Sequence, residues 1–375
     1  MKFVLAPDSF KESITAKEAC DAMERAIKKV VKDAECIKVP MADGGEGTVE
    51  ALVGETNGKL VDIFVTPPIG EGKVKATYGI LGDGEKAIIE MASASGIQLV
   101  KREERNPLIA TTFGTGELIL DAIKKGVKHI LIGIGGSATN DGGAGMIQAL
   151  GGHLLDKDGN ELAFGGLALS KLHKIDLSNI DKRLEEITFE AACDVTNPLI
   201  GETGASRIFG PQKGATEEMV VVLDKALENY ANVIKNDLGK EVTYVEGAGA
   251  AGGLGAALLA FLNAKLLRGI DLIIEHTELE EKIKGADFVF TGEGGIDSQT
   301  IFGKTPMGVA TAAKRQGVKT IAFAGKVEDG SENLYDVGIT SIFGILRGVT
   351  SLDYALKDGI KNLEKTVENV VRILI

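Results

Sequence analysis

Six apolar runs in this chain read as β-strands, and each gives way to a glycine-rich or acid-bearing loop. "APDSFK" follows "FVL", and "PMADGGEG" follows the run that ends at Val39. "GIGGSATNDGGAG" follows "HILI", and "CDVTNPLIGETGASRIFGPQKGAT" follows "ITFEAA". "GAGAAGGLG" follows "VTYVE", and "TGEGGIDSQTIFGKT" follows "FVF". Strands that alternate with helices favour parallel sheets. In open α/β sheets the loops at the carboxyl ends of the strands line the ligand crevice. Glycine lets backbone N–H groups approach an anion closely, and a helix start adds a favourable dipole. The pattern therefore points to a site for phosphates and a divalent metal. Asp43-Gly44-Gly45 and Asn140-Asp141-Gly142-Gly143 read equally well as turns and helix caps.

The order of elements suggests how the loops are shared out. The first sixty residues read βαβα. Thr15 and Glu18 form a capping box, and Ala19, Ala22, Met23, Ala26, Ile27 and Val30 fall on one helical face. A second strand ends at Pro40, and a helix follows "MADGGEG". Near Leu60 the pattern changes to three strands, "LVDIFVTPPIG", "KVKATYGIL" and "KAIIEMASAS", joined as hairpins. Helix–strand alternation then resumes, and the last ninety or so residues resemble the first sixty in pattern. These patterns predict a discontinuous doubly wound α/β domain, residues 1–60 plus 284–375. An inserted mixed α/β domain spans 61–283, with the active site expected in the crevice between the two. A length of 375 residues fits two domains.

Charge and composition exclude other classes. A formal charge of -12 without a compact Lys/Arg cluster argues against a nucleic-acid surface. The chain has no Trp, so no stacking platform for bases is evident. Cys20, Cys36 and Cys193 are far apart in sequence, which suits a reducing compartment. His129, His153, His173 and His276 are scattered and read as structural. Pro7 and Asp8 interrupt the N-terminal apolar run too early for a signal peptide. The uncharged stretch from Gly247 to Ala264 begins with Gly and Ala, which suits a buried helix start better than a membrane span. A cytoplasmic protein with no membrane partner is expected.

Two known phosphate-binding motifs have partial counterparts here. A P-loop fails at "SQTIFGKT", where Ser298 occupies the place of the first glycine. The dinucleotide fingerprint fits Gly247, Gly249 and Gly252, with Asp271 at a suitable distance for a ribose, and a degenerate copy lies at Gly133, Gly135 and Ala138. A nicotinamide-dependent oxidoreductase of a small hydroxy acid is therefore one alternative.

Taken together, the loops resemble the type I glycerate kinase family. "APDSFKESITAKEA", "PMADGGEGTVEAL", "TTFGTGELILDA", "GIGGSATNDGGAGMIQALG", "CDVTNPLIGETGAS", "FGPQKGA", "GAGAAGGLGAALLAFL" and "TGEGGIDSQTIFGKTPMGVA" occur in the family's order, nearly end to end. Two positions depart from the family. Glu12 stands where a small residue such as Gly is common. Gly295 stands where a basic residue is frequent, leaving Lys304, Arg207 and Lys213 as candidates to supply that charge. The resemblance implies a flavodoxin-like (Rossmann-like) domain with an insertion, and ATP, Mg2+ and D-glycerate as cofactors and substrate. It implies 2-phosphoglycerate as the usual product.

Phosphoryl transfer needs positioning, charge neutralisation and help for the attacking hydroxyl. Lys11 is expected to neutralise phosphate oxygens or the glycerate carboxylate. Asp8, with Ser9 beside it, is expected at the metal or its water shell, and Asp297 and Glu293 at metal or nucleotide. Asp194, Lys11 and Asp43 are expected to be catalytic, with Asp194 taking the hydroxyl proton, and Asp43, Ser9, Arg207 and Lys213 are assigned to the substrate. Gly135, Gly136, Ser137, Gly142, Gly143, Gly292, Gly294 and Lys304 are assigned to nucleotide or phosphate. A monomer or homodimer is expected, and a non-catalytic sensor of glycerate or nucleotide is the second alternative.

Overall fold

The computed structural model describes residues 1–375 except Asp43 and Glu46, and it omits the side chain of Phe302. The described strands, in chain order, are β1 Lys2–Leu5, β2 Glu35–Lys38, β3 Lys59–Val65, β4 Val74–Ile80, β5 Lys86–Glu90, β6 His129–Gly133, β7 His153–Leu155, β8 Lys174–Asp176, β9 Thr188–Ala192, β10 Lys265–Leu267, β11 Phe288–Ile296, β12 Lys319–Val327 and β13 Ile339–Gly344. They belong to two units. One is Met1–Asp43 with Ile270–Ile375, and the other is Gly44–Gly269.

In the first unit the sheet order is β2-β1-β11-β12-β13, with every pair parallel. Renumbered within the unit, this is the 2-1-3-4-5 order of flavodoxin-like sheets, and the order reverses between β1 and β11. Helices cover both faces. The helix Ala16–Val30 starts at the expected capping box: the Glu18 amide donates to Thr15 Oγ1 (3.2 Å), and the Thr15 amide to Glu18 Oε2 (2.9 Å). Its Ala19, Met23, Ala26 and Ile27 share one core with Leu363, Val367 and Val371 of the helix Gly359–Leu374. Met23 is fully buried there, so truncating it to Ala costs about 2–5 kcal/mol. On the other face the helix Thr305–Arg315 packs Met307 and Ala310 against Ala322, Ala324 and Ile296.

The second unit has a sheet ordered β10-β9-β6-β5-β4-β3. The first four strands are parallel, while β4 runs antiparallel to both β5 and β3. The hairpins expected after Leu60 therefore form one edge of a mixed sheet. The inner boundaries differ from those expected at residues 60 and 284. The helix Thr48–Glu55 packs on β4 and β5, so the chain joins the second unit at Gly44. At the far boundary, Ile270 packs beside Gly308, and the helix Leu279–Ile283 packs on Thr305–Arg315, so the return begins at Ile270.

One expected strand is missing. "VTYVE" forms turns, because only Val242 finds a buried place, while Tyr244 is 75% exposed. Gly247, Gly249 and Gly252 therefore lack the preceding strand that a dinucleotide fingerprint requires. Gly252 serves packing instead. Its φ is +70°, and a Cβ there would lie 2.0 Å from the Thr139 carbonyl oxygen. The segment Ala250–Leu262 is largely buried, as expected, but Ala251, Gly252 and Gly253 have left-handed backbone, so the regular helix begins only after them. Among the described residues, no helix is long and apolar enough to cross a membrane.

Candidate active site

Parallel strands bring their carboxyl ends to one edge, so each unit gathers its loops by topology. In the first unit this happens at the point of reversal between β1 and β11. Beyond β1 the chain continues along β11: the Ala6 amide donates to the Phe290 carbonyl (2.7 Å) and the Asp8 amide to the Gly292 carbonyl (2.8 Å). Pro7, between them, has no N–H to place. This fixes Asp8 beside the end of β11. Asp8 Oδ2 accepts a hydrogen bond from Thr305 Oγ1 (2.6 Å), and Asp8 Oδ1 accepts one from the Ser9 amide (2.6 Å).

Glu293, on β11, is mostly buried. Burial pushes its carboxyl up to about 7; Lys304 opposes this, while the nearby charges of Asp8 and Asp297 reinforce it. Thr300 Oγ1 donates to Glu293 Oε1 (3.2 Å). Asp297 Oδ1 accepts from the Gln299 and Thr300 amides (2.8 and 3.0 Å), and Lys304 Nζ lies 3.4 Å away. Partial burial raises the Asp297 pKa, but the Gln299 amide and Lys304 outweigh it and hold the group below its ordinary value. Lys304 is the N-cap residue of the helix Thr305–Arg315, whose dipole favours an anion. Three carboxylates, one lysine and a helix start thus lie at this end of the sheet. The oxygen donors of Asp8, Glu293 and Asp297 suit Mg2+.

Other predicted residues of this unit lie close by. The Lys11 backbone passes Gly294, whose Cβ would lie 3.3 Å from the Lys11 amide nitrogen, and the Lys11 side chain belongs to an exposed turn. At Gly292, a Cβ would come within 2.2 Å of the Phe323 carbonyl oxygen, so contact with β12 explains this glycine. Gly295 faces open space, with the nearest atom to a Cβ at 4.0 Å. Its register partner on β12 is Lys326, an exposed lysine paired with Glu328 (2.5 Å). Sequence reasoning missed Lys326, Thr300 and Thr305; only the parallel register and the helix start reveal them.

In the second unit the carboxyl ends of β5, β6, β9 and β10 carry Glu90, Gly133, Cys193-Asp194 and Gly269. Gly44 lies over them, with φ +86°, and a Cβ there would meet Ala192 Cβ at 2.7 Å and Gly269 Cα at 2.8 Å. Asp194 is exposed, and its Oδ1 accepts from the Gly269 amide (2.9 Å). Glu90 Oε1 accepts from the Val49 amide (3.1 Å) at the start of the helix Thr48–Glu55, and burial raises its pKa against those amide bonds. Asp43, the predicted substrate carboxylate, lies outside the described residues.

The loop after β6 divides into two parts. Gly135 and Gly136 are exposed, whereas Thr139, Asn140 and Asp141 are fully buried. Asp141 accepts from the Thr112 amide and hydroxyl (both 2.8 Å) and from the Gly143 and Gly145 amides. The Gly142 amide donates to the Gly252 carbonyl. The Gly142 and Gly143 amides are thus engaged internally and shape the loop. Lys213 is 2% exposed, and its ammonium donates to Ser137 Oγ and the Thr139 carbonyl (both 2.7 Å). Arg207 is half exposed and lies 3.6 Å from Glu202.

The chain matches the glycerate kinase family over residues 3–375. It is 51% identical over 374 residues to the protein named glycerate 2-kinase of Escherichia coli (strain K12), covering 100% of this chain and 98% of that one. It is 52% identical over 370 residues to the glycerate kinase of Bacillus subtilis (strain 168), covering 99% and 97%. Its fold matches the crystal structure of a putative glycerate kinase 2 from Salmonella typhimurium LT2 with a TM-score of 0.93 at 50% identity, over 100% of this chain and 98% of that one. Fold, loops and full-length similarity agree, and the chain belongs to the glycerate kinase family.

Proposed function

We propose that this enzyme transfers the γ-phosphoryl group of ATP to a hydroxyl of D-glycerate, with Mg2+, giving 2-phosphoglycerate in the cytoplasm. The observation that carries the reading is the Asp8–Glu293–Asp297–Lys304 cluster at the switch point of a flavodoxin-ordered sheet. Asp8, Glu293 and Asp297 would hold the metal, which supplies charge neutralisation for the phosphates when bound. Lys304 and the helix start at Thr305 receive phosphate oxygens, with Lys11 and Ser9 beside them. The Gly135–Gly136–Ser137 turn receives a substrate anion. Asp194 orients the attacking hydroxyl and takes its proton, a role suited to an exposed carboxylate fixed by a backbone amide. Asp43 is the remaining candidate for the glycerate hydroxyls. The missing strand before Gly247 removes the fuller of the two fingerprint matches behind the nicotinamide reading.

The test is one incubation with ATP, Mg2+ and D-glycerate, followed by 31P and 13C NMR of the products. The expected product is 2-phosphoglycerate. A 3-phospho product would keep the reaction class and reverse the substrate's orientation, whereas no phosphorylated product from folded protein would refute the reading.

A further inference from the structure

Lys213 is among the largest fully buried side chains, and a buried ammonium is costly unless its N–H groups are bonded. It reaches from the single turn Pro211–Lys213 to the loop after β6, where it bonds Ser137 Oγ and the Thr139 carbonyl. Both acceptors lie directly after the exposed Gly135-Gly136 pair. The same turn is tied on its other side: the Ile97 amide donates to the Gly136 carbonyl (2.8 Å), and the Ala138 amide to the Ser95 carbonyl (2.9 Å). Gly135 keeps open space around it, with no atom within 4 Å of a Cβ. A Gly-Gly turn left untethered would lose much conformational freedom on binding a ligand. Here that ordering is in place beforehand, and a positive charge lies beneath the turn.

We propose that Lys213 is a positioning residue: it fixes the Gly135–Gly136–Ser137 turn for an anionic group of a substrate without touching that substrate. The inference rests on the reading of this turn as an anion site. A nucleotide phosphate and the glycerate carboxylate share the required chemistry. Burial lowers the Lys213 pKa to about 7, opposed by the buried Asp141 carboxylate. Tyr230, whose hydroxyl is buried, is influenced by the same Asp141, and Arg105 donates to the Gln212 carbonyl next to Lys213. The charge beneath the turn is therefore lost as pH rises through neutrality.

The test is steady-state kinetics of the full chain from about pH 6 to 8.5, varying ATP and D-glycerate separately. Wild type is compared with Lys213→Met, Lys213→Gln and Gly135→Asp. In wild type the KM of one substrate should rise with pH. Lys213→Met should raise that KM about tenfold at pH 6, leave kcat within about threefold, and abolish the pH dependence. Lys213→Gln, whose amide keeps N–H donors without the charge, should lie between them and replaces Lys213→Met if that variant does not fold. The substrate whose KM moves identifies the anion. If folded Lys213 variants keep both KM values and the pH dependence while Gly135→Asp raises a KM, the positioning role is refuted and the anion site stands. If Gly135→Asp also changes neither KM, the anion site itself is refuted, and the inference with it.

Discussion

Thr305 Oγ1 donates to Asp8 Oδ2 over 2.6 Å, joining residues 297 positions apart at the reversal between β1 and β11. The bond ties the loop after β1 to the start of the helix Thr305–Arg315, so metal and phosphate groups would share one frame. Thr305→Val keeps the side-chain volume but leaves a carboxylate oxygen without this donor. It should cost about 1–3 kcal/mol of stability. It should also raise the Mg2+ concentration for half-maximal rate, because Asp8 is no longer held in place. Thr305→Ser should restore both. Denaturant melts and Mg2+ titrations of the rate check this, and an unchanged Mg2+ requirement would separate Thr305 from the metal.

Glu293 gives the metal-free protein a pH signature. Its folded pKa, about 7, lies above its ordinary value of 4.5, because burial penalises the carboxylate. Between those values the folded state holds a proton that the unfolded state has released, so stability falls as pH rises through this window. The full penalty, about 3 kcal/mol, is present above about pH 7 and absent below about pH 4.5. Glu293→Gln removes it. Melts of the two metal-free proteins should nearly coincide at low pH and separate in favour of the variant as pH rises. Curves that stay parallel across the window would overturn the assignment.

Gly295 and Lys326 are register partners on β11 and β12, and the space above Gly295 is open. Lys326 is therefore placed to supply the positive charge that position 295 lacks. Lys326→Met should raise the KM for ATP a few-fold with little change in melting temperature, because exposed charges contribute little to stability. Gly295→Arg should fit without a clash and reverse that rise in the double variant. Kinetics of the two single variants and the double variant measure this, and purely additive effects would argue against a shared role.

Glu12 occupies the left-handed region at φ +63° in an exposed turn. A non-glycine residue there carries strain of about 1–3 kcal/mol, partly offset because glycine gains more freedom in the unfolded chain. Glu12→Gly should therefore stabilise the protein by about 0.5–1 kcal/mol, read as a shift in the denaturation midpoint at constant slope. A destabilised variant would show that Glu12 makes a compensating contact.

The candidate site was legible in sequence wherever a loop directly follows a strand, because a parallel sheet converts that order into proximity. Asp8, Glu293, Asp297 and Lys304 came together on these terms. What failed was depth. "GGSATNDGGAG" reads as one glycine-rich loop, yet its first half is exposed and its second half is buried around Asp141. Lys213 reads as a substrate-binding lysine until the Ser137 and Thr139 acceptors place it inside. "VTYVE" has the apolar alternation of a strand but finds no neighbour to pair with. Periodicity records which residues can be buried, whereas partners distant in sequence decide which of them are.

Asp194 offers the cleanest separation of chemistry from structure. Its Oδ1 accepts the Gly269 amide at 2.9 Å, an acceptor role that an asparagine Oδ1 fills equally well. Asp194→Asn therefore keeps the Gly269 bond and removes the negative charge. If the carboxylate takes or orients the proton of the attacking hydroxyl, kcat should fall by about 10²–10⁴-fold while the melting temperature and the KM for ATP stay near wild type. Asp194→Ala loses the anchor as well, so it should lower stability by about 1 kcal/mol in addition to the rate loss. A variant Asp194→Asn with near-full turnover would remove this residue from the proton transfer and leave Asp43 as the carboxylate to test next.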